Sequence, residues 1–147
     1  MSTVDRAPAS TRLAQDLRRS VMRLGRRLRQ MHEENLGLTA NQLSLLGVLV
    51  KLGPSTVGDL AEVEKVQPPA ITRTVKALES LGLAERTADP EDGRRSVVAT
   101  TERGRGIVLA DRRRRDRWLV KRLAELSPEE RRVLAEAAPV LLKLADA

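Results

Sequence analysis

The chain of 147 residues has no cysteine, no phenylalanine and no tyrosine; Trp118 is its one aromatic residue and His32 its one histidine. Without cysteine there are no disulfides, no thiolate zinc sites and no cysteine-based redox sensing. With a single aromatic residue the core must be aliphatic, built from Leu, Val, Ile and Ala. A lone histidine offers no metal set, no serine motif surrounds it, and the carboxylates are scattered among arginines with no pair singled out. His32 therefore reads as a solvent-facing residue at the end of a helix, and an enzyme is not expected. GRGIVLA, with Gly104 and Gly106, lacks the third glycine and the strand–helix–strand setting of a nucleotide-binding loop. Long apolar runs are missing too: the longest, within LSLLGVLVKLG, is too short to span a bilayer. The opening MSTVDRAPAS has no apolar stretch of the secretory kind. The expectation is a soluble, cytoplasmic protein with no metal and no cofactor.

What the chain does have is arginine. There are 22 arginines against five lysines, the formal net charge is +7 and the pI is about 10.9. Such a balance favours a polyanionic partner, nucleic acid before an anionic membrane; the plainer alternative is a solvated basic surface. A hydrophobic fraction of 41% argues against disorder. The length suits one domain, or a compact domain with an appended helical part.

Residues 1–9 read as a loose tail. Leu13, Leu17, Val21, Leu24, Leu28 and Met31 then recur in steps of four and three, one helical stripe close to a heptad seam. Arginines fill its other faces, and this helix is expected to end near Asn35–Gly37. In LTANQLSLLGVLVKLGP, Thr39 and Gln42 form a capping box and Gly53-Pro54 stops a helix that should be buried. STVGDLAEVEKVQPPAITRTVKALESLGL reads as helix, short turn, helix. Thr56 or Ser55 caps the first over roughly 57–64; the second opens at Pro68-Pro69 and ends at Leu81-Gly82. LAERT and RSVVATT are short strands of a hairpin. Thr101 caps a long helix to about Glu125, in which Asp111 and Asp116 partly offset the arginines of DRRRRDRW. Ser127-Pro128-Glu129-Glu130 starts a last helix, which Pro139 should kink or interrupt. Trp118 is either packing filler or one wall of a ligand cavity.

On a helical wheel of residues 68–81, Ile71, Val75 and Leu78 share the side that would face a core. Pro69, Thr72, Arg73, Lys76 and Ser80 share the other. Arginine can grip a guanine edge through two parallel hydrogen bonds, threonine can meet a base or a thymine methyl, and the helix start offers amide donors and a positive dipole end to a phosphate. The alternative is an ordinary amphipathic surface helix. The hairpin that follows, RTADPEDGRRSVV, sets Arg86, Arg94 and Arg95 around an Asp-Gly turn. A buried helix, a turn, this helix and a basic hairpin make a winged helix-turn-helix, whose wing arginines can reach phosphates or a narrow minor groove. An Asp92–Arg94 ion pair that only shapes the turn is a compatible reading.

Three pieces, LTANQLSLLGVL, VQPPAITRTVKALESLGLAER and DPEDGRRSVVATTERG, resemble the multiple antibiotic resistance regulator (MarR) family of bacterial transcription factors. Asp92-Gly93-Arg94 is similar to the family's Asp-x-Arg in the wing, and TTERG to its Leu-Thr-Glu-Lys-Gly. The resemblance covers roughly residues 10–145. It implies a mainly α fold with a small β-hairpin wing: a winged helix-turn-helix over residues 38–100, and a helical dimerisation region over 10–37 and 101–147. It further implies a homodimer on a near-palindromic operator of double-stranded DNA, in many members a repressor released by a small phenolic or lipophilic effector. By motif position Gln67, Pro68, Pro69, Thr72, Arg73 and Lys76 carry over as groove and phosphate contacts, and Arg94 and Arg95 as wing contacts. Lys65 departs from the pattern, standing where many members have glycine in the turn, as does Gly58 in the first helix of the pair. The tyrosines and extra histidines that line some family pockets have no counterparts here, and the missing cysteine removes the peroxide-sensing mechanism of one branch. Two rivals remain: a membrane-surface protein, whose first helix would lack aromatic anchors, and a non-specific basic nucleoid-associated protein.

Overall fold

The computed structural model describes residues 8–32 and 37–147. Helix α1 spans Ala9–Arg29 and tightens into a 3-10 turn, Gln30–His32; then follow α2 (Ala40–Leu52), α3 (Val57–Glu64), α4 (Pro68–Ser80), β1 (Ala84–Ala88), β2 (Ser96–Thr100), α5 (Glu102–Ala124) and α6 (Pro128–Ala145). The tail over residues 1–7, the expected helix end at Asn35 and the side chain of His32 lie outside the described residues.

The helix starts are set locally. The Thr39 hydroxyl accepts from the Gln42 amide at 3.2 Å while Gln42 Oε1 accepts from the Thr39 amide at 3.0 Å, so each satisfies a donor the helix would leave free. Ser127 and Glu130 repeat the arrangement at α6. Thr56 caps α3 through the Asp59 amide, and Thr101 caps α5 through the Gly104 amide, both at 3.1 Å. Pro139 does not interrupt α6, which continues unbroken to Ala145. The bond to the Ala135 carbonyl is forfeited and the ring crowds that carbonyl, yet the helix continues through both flanking turns.

The described chain divides into two compact units, one reaching to Asp111 and one from Arg112 to Ala147. In the first, Leu45, Leu46 and Leu49 of α2, Leu60 of α3, Ile71, Val75 and Leu78 of α4, Leu83, Val98 of β2 and Val108 of α5 form one aliphatic core. The hairpin is antiparallel, with Ala84 opposite Thr100 and Ala88 opposite Ser96. Ser55 adds a third pairing, its N–H donating to the Val98 carbonyl at 2.9 Å and its carbonyl accepting from Val98 at 2.8 Å. This bridge fastens the hairpin base to the segment that enters α3. In the second unit α6 buries no residue, and Trp118 lies half-buried with the Arg122 guanidinium 5.5 Å from its ring centre, a cation–π contact.

Candidate nucleic-acid interface

Helix α4 is held from behind by Ile71, Val75 and Leu78, all buried, so its opposite side is fixed in direction. Gln67 occupies the N-cap position without capping through its side chain, and Pro68 and Pro69 open the helix. Gln67, Arg73 and Lys76 are exposed and Thr72 is half-buried. None of the four side chains bonds to another described residue, so their donors are available to a ligand. Two parts of the sequence expectation change. Pro68 and Pro69 carry no N–H, and the Ala70 amide already donates to the Gln67 carbonyl at 3.0 Å. The helix start therefore keeps its dipole but offers a phosphate no free amide at Pro68, Pro69 or Ala70. The Ser80 hydroxyl, assigned to the same front, donates to its own helix at the Lys76 carbonyl, 2.9 Å away.

Lys65, at the end of α3, adopts φ 55° and ψ 44°, the left-handed geometry that glycine takes without strain. The turn between α3 and α4 therefore keeps its shape despite the missing glycine. Its amide and that of Val66 close the helix on the Glu62 and Ala61 carbonyls.

The hairpin turn is a loop over residues 89–95 rather than a two-residue Asp-Gly turn, and Gly93 does not take a positive φ. Asp89 Oδ1 accepts from the Glu91 amide at 2.9 Å and Asp92 Oδ1 from the Arg94 amide at 3.1 Å. The Asp89 amide donates to the Arg95 carbonyl at 2.8 Å, closing the loop neck. Asp92 thus acts on the backbone of Arg94, and the ion pair between their side chains is not formed. This aspartate-built turn leaves the Arg94 guanidinium exposed at the tip. Arg95 lies on one flank, in a groove of about 400 Å³ shared with Thr56, Asp59, Asp89 and Glu91. Arg86 points elsewhere: its Nε donates to Glu79 Oε1 at 2.9 Å, tying β1 to α4. The three wing arginines therefore stand in three settings, and Arg94 is the least encumbered.

Charge is distributed unexpectedly. Residues 38–100 carry seven Lys/Arg and eight Asp/Glu, a net charge of −1, and four of those acids lie on the hairpin itself. The region presents local cations on a neutral body, not a uniformly basic face.

Residues 36–95 match the MarR family. The HTH-type transcriptional regulator MT0903.1 of Mycobacterium tuberculosis is 41% identical over 138 residues, covering 94% of this chain and 96% of that protein. The chain belongs to the MarR family. The HTH-type transcriptional repressor MdtR of Bacillus subtilis is 33% identical over 117 residues, 78% of this chain and 72% of that one. A MarR family protein from Bacillus stearothermophilus has the same fold, with a TM-score of 0.82 at 25% identity over 94% of this chain and 96% of that one.

This MarR family chain is a DNA-binding transcriptional regulator, with the mainly helical, hairpin-bearing architecture its motifs implied. The relatives are transcriptional regulators rather than enzymes. Among the described residues no helix is long and apolar enough to cross a membrane, and no cluster of His, Asp and Glu is arranged to hold a metal. Sequence reasoning missed three members of the site's scaffold: the Ser55–Val98 bridge, the Arg86–Glu79 pair and the close approach at Gly104. Only Gly104 left a signal, as a glycine inside an otherwise helical segment.

Proposed function

We propose that the protein is a homodimeric, cytoplasmic repressor that reads a near-palindromic operator. The observation that carries this is the front of α4. Gln67, Thr72, Arg73 and Lys76 are unengaged on a helix whose back is locked in the core. Pro68 and Pro69 fix its entry, and Arg94 is displayed at the wing tip to meet phosphate or a narrow minor groove. Arg86 and Arg95 complete the wing contacts in this reading, Arg86 by placing β1 on α4. Dimerisation is supported by apolar side chains left in water: Leu13 and Val21 of α1 are 60% and 51% exposed, Val133 and Val140 of α6 63% and 59%. Repression follows the name of the related MdtR, and release by a small lipophilic or aromatic acid follows family membership.

Selection from a randomised duplex library tests the reading. Enriched sites are expected to contain two half-sites about 10 base pairs apart or a multiple of that. Equal recovery of all sequences would leave a non-specific nucleoid-associated protein in its place. Sedimentation at micromolar concentration should give a dimer; a folded monomer would remove the two-half-site geometry. Gel shifts with salicylate-like compounds test release, and unchanged complexes would end that part of the proposal.

A further inference from the structure

The chain's positive charge is not where the recognition helix is. With residues 38–100 at net −1, the excess lies in the flanking helices, and α1 shows its form most clearly. Its 21 residues hold seven arginines and one aspartate, a net +6 within a chain of +7. All seven arginines are exposed. At about 100° per residue, Arg12, Arg19, Arg23 and Arg26 fall within about 60° of one another, roughly opposite the stripe of Leu17, Val21 and Leu28. None of these four pairs with a described carboxylate. Arg19, Arg23 and Arg26 stand three and four residues apart, where like charges repel and lower helix stability. Helix α6, which also exposes an apolar stripe, mixes three acids with three bases and avoids this. A helix needed only for its apolar face has no use for such a row.

We propose that the arginine face of α1 is a second, sequence-independent contact for duplex DNA, separate from α4 and the wing. Arg12 to Arg26 extends along about 21 Å of helix. A duplex presents about 12 phosphate charges over that length. Guanidinium forks bind phosphate oxygens in pairs, which suits arginine better than lysine for a backbone track. A bilayer fits less well. The helix has no aromatic anchor, and the apolar stripe a bilayer would have to bury is the one assigned to the dimer. This contact goes beyond the operator-reading role and does not depend on it.

The test is binding of full-length protein to a 30-base-pair duplex of random sequence across a salt series. Arg19→Gln/Arg23→Gln/Arg26→Gln is expected to weaken binding at least tenfold at low salt. It should flatten the slope of log K against log salt by about 2.7, at 0.9 per phosphate neutralised. Arg23→Gln alone should flatten it by about 0.9, a measurement that survives if the triple variant misfolds. The α1 variants should keep the wild-type ratio of operator to random-duplex affinity, whereas Arg73→Ala should lower that ratio, so failure of the α1 track and failure of operator reading are separable. Wild-type affinity and slope in both α1 variants overturn the proposal. So does loss of binding to phosphatidylglycerol vesicles with duplex binding intact, which would assign the face to a membrane.

Discussion

Gly104 sits near the start of α5 where the helix crosses the end of the hairpin. A Cβ placed there would fall 2.5 Å from Thr100 Oγ1, and closer still to the Leu83 carbonyl oxygen. Neither neighbour is free to move. The Leu83 carbonyl accepts from the Thr101 amide at 3.0 Å and from Thr100 Oγ1 at 3.3 Å. Thr101 Oγ1 donates to the Gly82 carbonyl at 2.8 Å and caps the helix through the Gly104 amide at 3.1 Å. Gly104→Ala must therefore push the helix off the hairpin or break part of this clamp. Overpacking of this kind costs about 1–3 kcal/mol, and each hydrogen bond broken adds about 0.5–1.5 kcal/mol. Better helix propensity returns about 1 kcal/mol. With one bond broken the net destabilisation is about 0.5–3.5 kcal/mol, a fall in Tm of about 2–12 °C for a chain of this size. Gly106, two residues on, is the internal control: it is exposed, and an added Cβ meets nothing within 4 Å. Gly106→Ala should raise stability by about 0.4–1 kcal/mol. Thermal melts at matched protein concentration read both. A Gly104→Ala protein that melts at or above wild type would refute the clamp argument.

The interface residues yield separable outcomes. Arg73→Ala should weaken operator binding by about 1–3 kcal/mol per half-site and relax preference at one base position, measured by competition with singly substituted operators; unchanged preference would mean that Arg73 reads no base. Arg94→Ala should weaken many sequences evenly and lower the salt slope by about 0.9 for each phosphate it no longer neutralises. Asp92→Ala should reproduce part of this defect by releasing the Arg94 backbone, and wild-type operator binding by Arg94→Ala at physiological salt would reduce the hairpin to a connector. Lys65→Gly removes a left-handed penalty of about 1–2 kcal/mol, against about 0.5–1 kcal/mol of extra chain entropy. Its melting point should hold or rise, and a clear fall would show that the Lys65 side chain contributes what its backbone loses.

The sequence by itself determined what acts over one helical turn or one strand. Thr39 with Gln42, Thr56, and Ser127 with Glu130 announce helix starts because a cap joins residues three apart, so both partners lie in the same short stretch. The spacing of Ile71, Val75 and Leu78 fixed which side of α4 would be buried, and with it which side carries Arg73 and Lys76. The winged helix-turn-helix order was legible for the same reason: each element carries its own start and stop. Pairings between distant residues carried no such signal. Arg86 looked like a free wing cation until Glu79 was brought within 2.9 Å. Asp92 looked like a partner for the Arg94 side chain, yet its oxygen was taken by the amide two residues on. Asp111 read as an offset to the neighbouring arginines, with no sign of burial, and is 3% exposed. Ser55 meets Val98, and Gly104 meets Leu83, because the core of α2, α3 and α4 draws the hairpin and α5 onto itself. Burial and long-range approach are properties of the packed chain, and only the tertiary structure could decide them.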